Sequence, residues 1–167
     1  MSPTDRTLLL LRHAKSDYPD GVTDHERPLA PRGIREAGLA GDWIRANVAP
    51  VDAVLCSTAT RTRQTLARTG ITAATRFEDD LYDSRPGTVL NFIRGIGENV
   101  ETLLVIGHEP TMSGLASALA GPDTDEGLRD EMLAKYPTSA VAVLRIELPW
   151  DQLEPGRATL VDFHVPR

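Results

Sequence analysis

The 167-residue chain is 41% hydrophobic and 25% charged, a composition that is typical of one globular domain with a full core. Its formal net charge of −6 argues against a nucleic-acid partner, and no apolar run approaches the roughly 20 residues that cross a membrane. The single cysteine, Cys56, excludes an intramolecular disulfide, and residues 1–6 show no signal peptide, so we expect a cytoplasmic protein in which residues 1–167 form one domain.

Apolar runs alternate with amphipathic stretches along the chain and predict strands and helices in turn. In chain order we expect a strand at Arg6–Arg12, a polar loop at Asp17–Pro31, a helix at Arg32–Ala46, a strand at Asp52–Cys56, a helix at Thr60–Thr69 that ends at Gly70, a short strand at Thr75–Phe77, a helix at Gly87–Ile96, a strand at Thr102–Ile106, a helix at Thr111–Leu119, an acidic surface excursion with a short helix at Gly121–Tyr136, and strands at Ala140–Leu148 and Ala158–Val165. This alternation predicts a three-layer α/β/α sandwich with a largely parallel central sheet.

Two of the predicted buried strands end in a histidine. The run Leu8–Leu11 leads into Arg12 and His13, and the run Thr102–Ile106 leads through a glycine into His108. Because ligands of an open α/β sheet bind beyond the carboxyl ends of its strands, we expect both imidazoles in one crevice. The arginine makes an anion the expected ligand, and nearby cations favour a neutral His13, which is a competent nucleophile toward phosphorus. His108 is then placed to donate to a phosphoryl oxygen.

A further cationic group follows the second strand. We expect Ser57 or Thr58 to cap the next helix, which places Arg61 in its first turn at the same edge of the sheet. A guanidinium there can bind phosphate in bidentate fashion, assisted by the partial positive charge of the helix N-terminus. Arg63 and Arg68 fit better as solvent-facing residues of an amphipathic helix.

Other residues close to these groups are candidates for binding substrate or for donating a proton. Lys15 and Ser16 follow His13 closely enough to contact a phosphate. Glu109 and Asp83 are candidate general acids, because a carboxyl near anionic groups can have a raised pKa. In most proteins, however, such residues are plain surface acids.

The spacing around Cys56 tests a rival mechanism. Relative to the signature of cysteine-dependent phosphatases, Arg61 follows one residue too early and Arg63 one residue too late. Cys56 is therefore predicted to be a small core residue. A site that contains Arg12 and Arg61 is too cationic to bind a divalent cation readily, and we expect neither a metal nor another cofactor.

Several stretches of the chain carry recognisable motifs in a consistent order. They are Leu11–Ser16, Asp24–Gly33, Ser57–Thr65 and Val105–Pro110, with a softer match at Lys135–Leu144. Together they resemble the histidine phosphatase superfamily, which has the phosphoglycerate-mutase-like fold, and more narrowly its SixA-type phosphohistidine phosphatases. The resemblance implies that His13 becomes phosphorylated and that Arg27 lies near the mouth of the site. The other phosphate-pocket residues that it implies are Arg12, Arg61 and His108.

The chain departs from the wider superfamily at two places. Ala14 stands where glycine is usual, and residues 77–86 contain no clear match to the usual general-acid glutamate. We therefore expect a phosphatase that works through a phosphohistidine intermediate and acts on a phosphorylated protein or a small phosphorylated substrate. Phosphohistidine suits the missing glutamate, because its imidazole leaving group can be protonated and depends less on an enzyme acid than an alkoxide does.

Two alternatives remain open at the level of the sequence. One is a sugar-phosphate phosphatase or mutase of the same superfamily, but such relatives often carry an extra helical segment over the site. The stretch between Leu81 and Ile106 leaves little room for that segment, which favours an open site and a bulky substrate. The other is a catalytically inactive phosphate-binding module. The presence of all four implied pocket residues argues against it.

Overall fold

The computed structural model describes residues 5–167, so most of the segment on which the signal-peptide expectation rests lies outside the described residues. The described residues form six strands and five α-helices, with short 3₁₀ turns at Asp24–Glu26, Asp79–Leu81 and Trp150–Gln152. The elements are β1 Arg6–Arg12, α1 Pro31–Asn47, β2 Ala53–Ser57, α2 Thr60–Thr69, β3 Ala74–Glu78, α3 Pro86–Arg94, β4 Thr102–Gly107, α4 Thr111–Leu119, α5 Glu126–Ala134, β5 Val141–Ile146 and β6 Ala158–His164. Over this range, no helix has both the length and the apolar character needed to span a membrane.

Within residues 5–167 the strands form one sheet in the order β3-β2-β4-β1-β5-β6. The first four of these run parallel to their neighbours, whereas β5 and β6 are added in antiparallel fashion. Helices α1 and α2 cover one face and α3, α4 and α5 the other, which confirms the three-layer α/β/α prediction. Arg12 pairs with Gly107 at the ends of β1 and β4, so the histidines that follow both strands leave the sheet at the same edge.

The core lies on both faces of the sheet because the central strands are apolar on both sides. In β1, Leu8 and Leu10 pack into the cluster beneath α3, α4 and α5, while Leu9 and Leu11 pack into the cluster beneath α1 and α2. This alternation arises because successive side chains of a strand point to opposite faces of the sheet. A sheet that is covered on both faces therefore needs apolar residues at every position of its central strands. Cys56 is fully buried in the second cluster, which confirms its prediction as a core residue.

Helix α2 has the predicted ends but not the predicted cap. It begins after Ala59, its N-cap, and no side-chain cap hydrogen bond is present. The Thr58 hydroxyl donates instead to Asp79 Oδ1 at 2.7 Å, and Ser57 is the last residue of β2, so the expectation that either would cap α2 is wrong. The helix ends at Gly70, whose φ of 74° is the left-handed conformation that glycine adopts without strain.

The acidic excursion between α4 and β5 contains the expected short helix, α5, but its inner side is part of the core. Asp125 caps this helix by accepting a hydrogen bond from Leu128 N at 2.9 Å. Met132 and Tyr136 are buried, and the Tyr136 hydroxyl donates to the carbonyl of Leu10 at 2.5 Å. The excursion is therefore anchored to the central strand β1, directly before the residues that build the site.

A glycine brings α1 close to the loop that follows β1. A Cβ atom on Gly33 would lie 2.1 Å from the carbonyl oxygen of Lys15, so no other residue fits without a backbone shift. The same carbonyl accepts a hydrogen bond from Ala30 N at 2.9 Å. The first turn of α1 thus sets the path of the chain just beyond His13.

Candidate active site

His13 lies at the carboxyl end of β1 with one ring nitrogen engaged and the other free to react. Its side chain is 7% exposed, and Nδ1 donates to the carbonyl of Ala14 at 2.7 Å, which assigns the proton of the neutral ring to Nδ1. Burial lowers the pKa of His13 to about 3, with smaller contributions from His108, Arg61 and Arg12. Burial, more than the cations expected from the sequence, therefore keeps the ring neutral, with its lone pair on Nε2.

His108 lies beside His13, with ring centroids 5.3 Å apart and the rings tilted by 55°. Its Nε2 lies 2.8 Å from Ser57 Oγ. Ser57 Oγ also accepts from Ala59 N at 3.3 Å and can donate its hydroxyl hydrogen to His108 Nε2, an arrangement in which the proton of the neutral His108 ring lies on Nδ1. Burial, followed by the charge of Arg61, lowers the pKa of His108 to about 4. Nδ1 is buried and has no hydrogen-bond partner among residues 5–167.

Two arginines complete the immediate surroundings of His13. Arg12 Nη1 donates to the carbonyl of Tyr136 at 3.0 Å, which fixes the outer end of its side chain. Arg61 lies in the first turn of α2, is 6% exposed, and donates through Nη1 and Nη2 to Asp24. The Nε atoms of both arginines are buried and, within the described part of the chain, unpartnered.

These groups line a cavity of about 230 Å³. It brings together nearly all the site residues predicted from the sequence, namely Arg12, His13, Lys15, Ser16, Arg27, Arg61, His108 and Glu109. Asp83 is the exception, because it lies exposed in the turn before α3 and outside the lining. Larger grooves occur elsewhere, such as the one of about 370 Å³ between the ends of α1 and α2, but the two histidines and two arginines make the smaller cavity the candidate site.

Part of the cavity lining is cationic and is held by a hydrogen bond and by contacts with an aromatic ring. Arg27 Nη1 donates to Ser16 Oγ at 3.0 Å, and the guanidinium lies 4.0 Å from the centroid of the Tyr18 ring. Lys15 Nζ is 6.0 Å from the same ring centroid. The three predicted substrate-binding residues, Lys15, Ser16 and Arg27, therefore lie together in the lining of the cavity, with the exposed Tyr18 as a neighbour that the sequence does not single out.

Neither predicted general acid has its carboxyl group free in the cavity. Although Glu109 contributes to the lining, its carboxylate accepts hydrogen bonds from Ser113 N at 2.6 Å and Ser113 Oγ at 2.7 Å. These bonds turn the carboxylate toward the first turn of α4. The exposed Asp83 lies outside the lining, so the geometry favours neither residue as the acid.

Ala14, where the wider superfamily has glycine, is accommodated by local packing. Its methyl group is fully buried with Leu29 and Ala37. Its backbone N–H donates to Thr65 Oγ1 at 2.9 Å, and the Thr65 hydroxyl donates to the carbonyl of Arg61 at 2.7 Å. The extra methyl group therefore fills a small core, and the loop after His13 is tied to the helix that carries Arg61.

Sequence reasoning missed Asp24 and Tyr82. The Asp24 carboxylate accepts hydrogen bonds from Arg27 Nε at 3.1 Å, from Arg61 Nη2 at 3.2 Å and from the Tyr82 hydroxyl. The hydrogen bond from Tyr82 is the largest cause that lowers the pKa of Asp24 to about 2. Tyr82 also packs edge-on against the His108 ring, with centroids 5.5 Å apart. Asp24 opens one of the motif stretches, whereas Tyr82 lies in residues 77–86, outside those stretches.

The two histidines outside the cavity lining are held by other contacts. His25 Nε2 lies 3.0 Å from Thr58 Oγ1. His164 stacks on Trp43, with centroids 4.6 Å apart. Among residues 5–167, no group of three or more His, Cys, Asp or Glu residues is arranged to hold a metal ion.

Comparison with known proteins places these observations in a family context. The model of the histidine phosphatase superfamily (branch 1) matches residues 8–89. An uncharacterized protein of Mycobacterium tuberculosis is 61% identical over 158 residues, which cover 94% of this chain and 100% of that protein. The phosphohistidine phosphatase SixA of Escherichia coli is 25% identical over 146 residues, or 84% of this chain and 85% of that protein. The solved structure of a candidate phosphohistidine phosphatase SixA from Nakamurella multipartitia has a TM-score of 0.90 and 38% identity, and covers 97% of this chain and 96% of its own.

Proposed function

The chain belongs to the histidine phosphatase superfamily, and we propose that it is a metal-independent phosphatase that hydrolyses phosphohistidine on proteins through a phosphorylated His13. The observation that carries this proposal is a set of three buried side-chain nitrogens on residues that line the cavity, Arg12 Nε, Arg61 Nε and His108 Nδ1, that have no partner among the described residues. Each unsatisfied buried donor costs about 1–3 kcal/mol. We propose that the oxygens of a phosphoryl group bonded to His13 Nε2 act as the acceptors for these residues.

The proposed chemistry uses two displacements at phosphorus. The Nε2 lone pair of His13 forms a bond to phosphorus as the bond to the leaving nitrogen breaks, and Nδ1 keeps its hydrogen bond to the Ala14 carbonyl. A water oxygen then forms a bond to phosphorus while the bond to His13 breaks. The released dihydrogen phosphate carries both hydrogens of the water, and His13 returns to its neutral form. The surrounding donors stabilise the charge on the phosphoryl oxygens in both steps.

A phosphohistidine substrate suits the positions of the acidic groups. The Glu109 carboxylate is held by Ser113, and Asp83 is exposed outside the cavity. An alkoxide leaving group would need a positioned acid, whereas a departing imidazole can take its proton from water. The phosphohistidine phosphatase of Escherichia coli, with 25% identity over 84% of this chain, supports the same substrate class.

The remaining predicted assignments belong to the same proposal. We propose that Lys15, Ser16 and Arg27 bind the part of the substrate around the phosphoryl group, because they lie together in the lining of the cavity. We also propose that residues 1–167 act as one cytoplasmic domain that needs no cofactor. A reduced, buried Cys56 is compatible with that compartment.

The test compares kcat/KM for a phosphohistidine protein, a sugar phosphate and an aryl phosphate, with EDTA in every assay. We expect the phosphohistidine protein to be preferred. Rapid quenching into alkaline denaturant, followed by mass spectrometry, should show a phosphoryl adduct on His13. His13→Ala should abolish turnover, whereas the matched change His164→Ala, away from the cavity, should not.

Each part of this proposal has its own contrary outcome. An adduct on Cys56, or full activity of His13→Ala, would contradict the mechanism. Preference for the sugar phosphate would favour the small-molecule alternative, and activity that returns only when Mg²⁺, Mn²⁺ or Zn²⁺ is added would contradict metal independence. A phosphate complex without turnover of any substrate would support the inactive binding module.

A further inference from the structure

Asp24 accepts hydrogen bonds from the two terminal nitrogens of the Arg61 guanidinium. The main-chain carbonyl of Asp24 accepts from Nη1 at 2.7 Å, and its carboxylate oxygen Oδ2 accepts from Nη2 at 3.2 Å. A guanidinium has five N–H groups in a rigid plane, so these two bonds fix both the position and the rotation of that plane. Of the three nitrogens, Nε alone is left without a partner among the described residues.

We infer that Asp24 is a positioning residue that holds Arg61 so that its Nε edge binds the phosphoryl oxygens. The Nε edge offers Nε–H together with the second hydrogen of Nη2, which is a bidentate arrangement for an oxyanion. Arg61 is only 6% exposed, so the guanidinium has little water to replace a lost partner. This inference rests on the proposed function only in taking Arg61 as a donor to a phosphoryl group.

Asp24 can act in this way because other side chains hold it in turn. Its own side chain is 58% exposed, and a single exposed ion pair would contribute little. Here, however, the carboxylate also accepts from Arg27 Nε at 3.1 Å and from the Tyr82 hydroxyl. The Tyr82 ring lies 5.7 Å from the Arg61 guanidinium carbon and packs edge-on against His108. The Asp24–Tyr82 pair therefore connects the loop before α1 to the segment before α3.

The positioning role of Asp24 is testable because it and the negative charge of Asp24 have opposite effects on phosphate binding. A carboxylate beside an anion site repels the anion, so removal of its charge should by itself strengthen phosphate binding. Loss of a positioning contact should have the opposite effect, because a misplaced donor no longer meets the oxyanion. Misplacement of a positioned group by about 1 Å can cost about a hundredfold in rate.

The experiment measures the dissociation constant of inorganic phosphate by calorimetry, which needs no turnover. We expect Asp24→Asn to weaken binding at least about tenfold, because the amide cannot accept from all three donors. The matched control, Asp20→Asn, removes the same charge from an exposed position on the same loop and should change binding less than about twofold. In an Arg61→Ala background, Asp24→Asn should also change binding less than about twofold, because the group that it positions is absent.

Tyr82→Phe provides a second variant that removes only the hydroxyl. We expect it to weaken phosphate binding less than Asp24→Asn does, and to lose this effect in the Arg61→Ala background. Unchanged or tighter binding in Asp24→Asn, or an equal loss with and without Arg61, would overturn the inference while leaving the proposed function intact. Failure of the wild type to bind phosphate would contradict the proposed function, and the inference with it.

Discussion

At the scale of single residues, the site keeps two imidazoles neutral beside two permanent cations. Burial is the largest cause that lowers the pKa of His13 to about 3 and that of His108 to about 4. Arg12 and Arg61 remain charged, because a guanidinium does not lose its proton near neutral pH. The proposed nucleophile thus keeps its lone pair at neutral pH while the phosphoryl oxygens meet positive charge.

These lowered pKa values predict how stability depends on pH. Between about pH 6.5 and pH 4 the unfolded chain binds protons on His13 and His108 that the native protein excludes. The free energy of unfolding should therefore fall as the pH is lowered through this window. His13→Asn should make the fall shallower, measured by urea unfolding at pH 7, 6 and 5. Parallel curves for the variant and the wild type would show that His13 does not titrate in this way.

The arginines of α2 predict a second residue-scale difference. Arg61 is buried in the cavity lining, whereas Arg63 and Arg68 are exposed. Loss of one preorganised donor to transition-state charge typically costs about a hundredfold or more, so Arg61→Ala should lower kcat/KM by that factor. Arg63→Ala and Arg68→Ala remove the same charge and should have far smaller effects. Similar losses of kcat/KM in all three variants would indicate that general electrostatic attraction, and not direct contact between Arg61 and the substrate, determines kcat/KM.

At the scale of elements, the site is assembled where separate strands and helices end. The ends of β1 and β4 supply the two histidines, and Ser57 at the end of β2 bonds to His108 at 2.8 Å. The first turn of α2 supplies Arg61 and is tied to the His13 loop through Thr65. A shift of any one of these elements would therefore separate the donors that, in the proposed mechanism, act on one phosphoryl group.

The contact between α1 and the His13 loop gives an element-scale prediction. Gly33→Ala would place a methyl carbon 2.1 Å from the Lys15 carbonyl oxygen and should force the helix away from the loop. We expect about 1–3 kcal/mol of destabilisation in urea unfolding, with a reduced kcat/KM. Gly87→Ala in α3, where nothing lies within 4 Å, is the control and should be neutral or slightly stabilising. Equal behaviour of the two variants would contradict the close approach.

At the scale of the whole molecule, positive charge is concentrated against an acidic background. The chain has a formal net charge of −6, yet the cavity is lined by Arg12, Lys15, Arg27 and Arg61. Salt screens exposed charges beyond about 8–10 Å at ordinary ionic strength. An anion close to the cavity is therefore attracted chiefly by these four cationic side chains, and the acidic residues elsewhere on the surface repel it little. The mixed sheet supports the arrangement, because its parallel part directs the ends of β1, β2 and β4 to one edge.

The sequence by itself determined most of the elements and the strand-end positions of the two histidines. The bounds of β1, α2 and α4 agree with the predicted bounds, because hydrophobic period and a stop residue such as Gly70 are local signals. The strand-end positions of His13 and His108 were predictable for the same reason. The cap of α2 was not, because the Ser57 and Thr58 hydroxyls bond to residues far along the chain.

Only the tertiary structure decided which side chains meet. The contact between Asp24 and Arg61, and the packing of Tyr82 against His108, join segments that are distant in sequence. Neither contact has a local periodicity that could predict it. The direction of the Glu109 carboxylate was likewise decided by its bonds to the first turn of α4. Local backbone preference is set within a few residues, whereas the partners of a buried polar group depend on how the whole chain packs around it.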